Sequence, residues 1–120
     1  MRDIHIAIID DGVNEGYYDS LYLEQNIIIT ENLEAVDRHG YDRCKFSHGT
    51  VCAGIIKKYC SNAKISSIKV LNDNMQGNIE RLIYAIKWCM DKDVDIINLS
   101  IGTVHSKDKK PLKKIADKAS

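Results

Sequence analysis

The sequence predicts a three-layer α/β fold, with one mostly parallel sheet and helices on both faces. Two observations predict it. Short β-branched runs alternate with stretches of helical apolar spacing, the order that builds a parallel sheet through crossover helices. The runs are apolar on consecutive residues, as in strands covered on both sides.

Each element has its own signal. Residues 4–9, IHIAII, read as a buried strand closed by the turn-forming DDG. NIIIT at residues 26–30 reads as a second strand. Residues 31–47 carry charges and little periodicity and read as loop. Val51, Cys52, Ile55, Ile56 and Tyr59 recur at helical spacing, so residues 49–59 read as a helix. KISSIKVL (64–71) is a third strand, and the turn-rich NDNMQGN ends on Asn78, a good N-cap. Residues 79–92 form an amphipathic helix whose apolar positions are Ile79, Leu82, Ile83, Ile86, Trp88 and Met90. VDIINLSIG (94–102) is a fourth strand. Pro111 suits a first helical turn, and Leu112, Ile115, Ala116 and Ala119 begin another helix. With no repeat and no linker, residues 1–120 read as part of a single domain. Its sheet is truncated after about four strands.

Composition narrows the function. Lys plus Arg and Asp plus Glu both number 17, so no net field draws in nucleic acid or an anionic membrane. The apolar runs fall far short of the ~20 residues that span a bilayer. Met1 leads almost directly into the first strand without a signal-peptide pattern, so a cytoplasmic location is expected. In that setting Cys44, Cys52, Cys60 and Cys89 are expected as free thiols.

Parallel sheets place ligand sites at the carboxyl ends of their strands. Asp10, Asp11, residues 71–77 and residues 100–102 fall on that edge. Asp10 is either a turn aspartate or a carboxylate that orients a histidine. His48 is either a solvent-facing side chain behind the N-cap Ser47 or a base, kept neutral by the positive end of the helix it opens. DIINLSIG is either a strand running into a turn or an exposed backbone that pairs with an extended peptide.

Order and spacing weigh these alternatives together. IAIIDDG, then SHGTVCAG, then KVLNDNMQGN and IYAIKWCMDKDVDIINLSIG resemble the N-terminal half of a subtilase, a subtilisin-like serine protease. The resemblance runs from about Ile4 to the end of the chain and is especially close over residues 69–102. It implies that Asp10 is the triad aspartate and His48 the general base. It implies that Gly77 lies on the segment pairing with the substrate backbone, with Ser100, Ile101 and Gly102 forming the opposite wall of the cleft. The partner so implied is a peptide or protein substrate, and no cofactor is called for.

Departures from the family pattern matter. The Gly-Thr-Ser nucleophile motif and the oxyanion-hole Asn do not occur in these residues and belong downstream of Ser120. The chain alone is therefore expected to be inactive, with the complementary C-terminal half as a second possible partner. Asp11 stands where Ser or Thr is common. Asp-Asp-Gly and Cys-Ala-Gly also occur in the proprotein-convertase branch, which implies that Asp11 binds a basic residue of the substrate. NLSIG is closer to the bacterial branch. The stretch IIKKYCSNAK has no carboxylate for a hard cation, so no calcium is expected there.

Rival readings come from other classes. A degenerate or split subtilase would only dock peptides. A phosphoacceptor receiver domain shares the acidic pair and the Lys110–Pro111 turn, but its acceptor position holds Ser100. Cys44, His48 and Cys52 at intervals of four suggest a zinc site without a fourth ligand. Cys52 as a nucleophile is set against Cys52 as a small core residue. The lysines from Lys107 to Lys118 read as a solvated helix face.

Overall fold

The computed structural model describes residues 3–18, 21–72, 74 and 76–99. Five strands form one sheet: β1 (His5–Asp10), β2 (Leu23–Ile29), β3 (Ala35–Asp37), β4 (Lys64–Lys69) and β5 (Ile96–Leu99). Their order is β3-β2-β4-β1-β5. β2, β4, β1 and β5 are mutually parallel, and β3 pairs antiparallel with β2 at the edge. Two α-helices, α1 (His48–Tyr59) and α2 (Ile79–Asp91), and one 3-10 turn at Glu15–Tyr17 complete the elements of the described residues. No helix among the described residues is long and apolar enough to cross a membrane.

Alternation along the strands splits the core in two. Ala7, Ile9, Ile27, Ile29, Ile68 and Val70 pack against Leu82, Ala85, Ile86 and Cys89 of α2. Ile8 and Ile65 point to the other face and pack with Val13, Leu21 and Ala53 of α1. One helix therefore covers each face, as the sequence predicts. Both connections, β2 to β4 and β4 to β5, move in the same direction across the sheet. Helices on opposite faces then require opposite hands, so one crossover has the rare left-handed sense. The carboxyl edge gathers both the end of β1 and the start of α1, because a crossover helix runs back against its strands.

Three expectations are corrected. The segment 31–47 is not all loop, because it contains β3. Its hairpin lacks the usual Gly signal: Thr30 accepts the Leu33 N–H, and Leu33 itself takes the left-handed conformation at φ 59°. The buried stripe of α1 is Gly49, Thr50 and Ala53, whereas Ile55 and Tyr59 face outward. Small residues win that face because the helix start lies close against the β1 turn. Met90 of α2 is also exposed, while Cys89 takes the core position. The predicted helix after Pro111 lies outside the described residues.

The core position of Cys89 has a chemical consequence. Burial pushes its thiol up to about 12, whereas Cys44 and Cys60 are exposed. In the native protein at pH 8, iodoacetamide is expected to modify Cys44 and Cys60 and to reach Cys89 only after denaturation. Mass spectrometry of the labelled peptides reads this directly. Equal native labelling of Cys89 would mean that α2 is not packed on the sheet.

Candidate active site

The site begins with a strand that ends on two acids. Asp10 is the last residue of β1, and its side chain is completely buried. A carboxylate there needs partners, and it has them. Asp10 Oδ1 accepts the Asp11 N–H at 2.8 Å, and Oδ2 lies 2.6 Å from His48 Nδ1. An ionised carboxylate only accepts, so Nδ1 carries the proton and Nε2 becomes the basic nitrogen. The imidazole is 52% exposed and the Asp10 carboxylate 0%, an arrangement that buries the orienting group and presents the base to solvent.

The helix start is built to deliver His48. Ser47 is the N-cap, its Oγ accepting the Thr50 N–H and donating to Gly12 O at 2.7 Å. Its single proton is thus committed to Gly12, so Thr50 Oγ1 donates in the short contact between the two hydroxyls. Thr50 Oγ1 also accepts the Asn14 N–H at 2.8 Å. Ser47 is the N-cap, and the imidazole bonded to Asp10 belongs to the very next residue.

The turn after Asp10 is clamped from two sides. Gly12 adopts φ +99°, open to glycine at little cost, and a Cβ there would also meet the Arg38 guanidinium. Arg38 donates to Val13 O at 2.9 Å, to Asn26 Oδ1 and to Asn14 Oδ1, and stacks over the Tyr41 ring. Tyr41 in turn donates to Glu15. On the other side, Val70 and Leu71 donate to Asp10 O, and Lys69 Nζ donates to Asp11 O and Leu71 O. Arg38 and Asn26 lie outside the motifs that carry the resemblance, and Thr50 and Lys69 lie inside them without an assigned role. They become part of the site only through contacts between distant segments.

The electrostatics reverse one expectation. The hydrogen bond to Asp10 raises the His48 pKa above its usual value. Partial desolvation opposes the rise, and the charges of Asp10 and Asp11 add to it. The net shift is upward, opposite to the lowering that the positive helix end alone would give, because the hydrogen bond to Asp10 and the two carboxylate charges favour the protonated ring.

The other predicted site residues fall as follows. The Asp11 carboxylate faces the first turn of α1, accepting the His48 N–H at Oδ2 (3.1 Å) and the Gly49 N–H at Oδ1 (2.8 Å). Gly77 packs against Val70 O and the Leu71 side chain, on the same edge as Asp10. Ser100, Ile101 and Gly102 lie outside the described residues. β5 pairs Leu99 with Ile9 and so runs to that same edge.

Two rival clusters separate cleanly. Cys44 does not join His48 and Cys52. Its Sγ faces Gly16 O instead. Asp10 takes its place: the ligand atoms of Asp10, His48 and Cys52 lie within 4.8 Å of one another. Cys52 Sγ is 3.8 Å from His48 Nδ1, so these three side chains could hold a soft metal ion only at the expense of the Asp10–His48 bond. A second His–Ser contact, His5 Nε2 to Ser66 Oγ at 2.7 Å, lies at the amino end of the strands. Ser66 is completely buried, so it is a satisfied core hydroxyl beyond the reach of substrate.

Comparison with known proteins gives the family of the chain. The family model described as "Subtilase family" matches residues 1–120. The minor extracellular protease Epr of Bacillus subtilis (strain 168) is 28% identical over 98% of this chain and 18% of its own length. The cell wall-associated protease of the same organism is 33% identical over 85% of this chain and 12% of its own length. Subtilisin DY of Bacillus licheniformis is 25% identical over 98% of this chain and 43% of its own length. The chain thus spans less than half the length of each of these relatives. An aspartate at the end of β1 bonded to a histidine at the head of α1, inside a family-model match that spans residues 1–120 of this chain, leads to one conclusion: this chain belongs to the subtilase family.

Proposed function

We propose that this chain is the part of a serine endopeptidase that bears the aspartate and histidine of its triad. The observation that carries the reading is the 2.6 Å contact between a buried carboxylate and Nδ1 of a half-exposed imidazole. In this reading His48 Nε2 takes the proton of a serine as its Oγ attacks the substrate carbonyl, then returns it to the leaving amine. Water repeats the cycle on the acyl-enzyme. Asp10 holds the ring in the required tautomer and stabilises the imidazolium. The serine comes from a segment outside residues 1–120, since no Gly-Thr-Ser occurs within them. Gly77 on one side and Ser100, Ile101 and Gly102 on the other supply backbone that pairs with an extended peptide substrate.

A fluorophosphonate probe tests the assignment, because it reacts only with an activated serine. The 120-residue chain alone is expected to remain unlabelled. Together with the serine-bearing segment, labelling appears on a serine outside residues 1–120 and disappears in His48→Ala. A labelled serine within the chain would overturn the proposal, as would labelling that survives the loss of His48.

A further inference from the structure

We infer that Asp11 is a positioning residue for the base, a role that rests on the peptidase reading above. Its carboxylate ties the end of β1 to the head of α1. Oδ2 accepts the backbone N–H of His48 itself and Oδ1 that of Gly49, at 3.1 and 2.8 Å. These amides have no partner within the helix, and a carboxylate across them is favoured by both hydrogen bonding and the helix dipole. Asp11 is only 9% exposed. Its own carbonyl is held by Lys69 Nζ, which reaches across from β4 at 2.9 Å. Asp10 and Asp11 therefore divide the work: Asp10 holds the ring of His48, and Asp11 holds its backbone. On this inference both oxygens of the carboxylate are engaged by the helix amides, and Asp11 acts on the base rather than on a basic substrate residue.

The test compares Asp11→Asn, Asp11→Ser and Asp11→Ala in the active peptidase. Two peptides serve as substrates, one with Lys and one with Ala in the positions preceding the cut. Positioning predicts that kcat falls by about tenfold to a hundredfold in Asp11→Ala, equally on both peptides, with KM within about twofold. Asn and Ser each retain one acceptor for a helix N–H, so both are expected to keep more activity than Ala. Equal losses in all three variants would reduce Asp11 to a source of charge and overturn the inference. A loss confined to the Lys peptide, or none at all, would overturn it too.

A second readout needs no substrate. The His48 imidazole titration, followed by NMR, is expected to move to lower pH in all three variants and furthest in Asp11→Ala. If this order holds while the wild-type protein cuts no peptide, the peptidase reading fails and the positioning role stands. An unchanged titration in all three variants overturns the role. Asp11→Ser also guards against a variant that does not fold, since serine is common at this position in the family pattern.

Discussion

Asp10→Asn is expected to lower the peptidase kcat by about 10⁴-fold with little change in KM. An asparagine keeps the shape of the buried side chain. Its amide, however, can donate to Nδ1, which stabilises the tautomer whose proton sits on Nε2. The ring then has no lone pair to offer the serine. The pH profile changes as well. In the wild type the Asp10 hydrogen bond raises the His48 pKa above 6.5, so the acid limb of kcat/KM has its midpoint above that value. In the asparagine variant the midpoint moves down. The same raised pKa makes the pair a stabilising one at low pH. Its contribution is full below about 6.5 and is lost as pH rises through the folded-state value. Stability from this pair and activity therefore trade over one pH window, because only the neutral ring is a base. Steady-state kinetics across pH 5–9 together with an imidazole titration check both statements. A variant with wild-type kcat, or with an unmoved acid limb, would remove Asp10 from the mechanism.

Gly49→Ala is expected to damage stability and activity together. Gly49 sits in the first turn of α1 and needs no unusual backbone angle. Its importance is the space beside it: a Cβ would lie 2.7 Å from the backbone oxygen of Gly12 and 3.3 Å from Asp11 Oδ1. A backbone carbonyl in a clamped turn cannot swing aside like the tip of a long side chain. The head of α1 must therefore move away from β1, stretching both Asp11–amide bonds and the Asp10–His48 contact. Overpacking of this kind costs about 1–3 kcal/mol. A displacement near 1 Å at the base costs about 10²-fold in rate. Thermal unfolding and kcat measured on the same preparation test the pairing of effects. An alanine variant with unchanged kcat would show that the His48 geometry does not depend on this close approach.

The four parallel strands and both described helices were legible because their signals are local. A buried β-branched run and a 3.6-residue apolar period each reflect how one segment meets a core. Boundaries shifted by one or a few residues: β2 begins at Leu23, and β1 extends to include Asp10. β3 was not legible, since three residues are too few for a period and Leu33 occupies a position where glycine is the usual signal. The buried face of α1 was misread for a related reason. Its inward residues are small or polar, and apolar residues at Ile55 and Tyr59 face outward.

The sequence by itself determined the α/β class, the family resemblance and the candidacy of Asp10 and His48. These depend on residue type and order along the chain. Only the tertiary structure decided that the two meet at 2.6 Å, that Asp11 turns toward the helix amides, and that Arg38 and Lys69 brace the turn between them. The same contacts decided that the His48 pKa is raised from its ordinary value rather than lowered. The physical reason is that a pKa, a clamp or a close approach depends on which groups stand within a few ångströms. Asp10 and His48 are separated by 38 positions in the chain, and their distance is set by the sheet and by the two helices packed on its opposite faces.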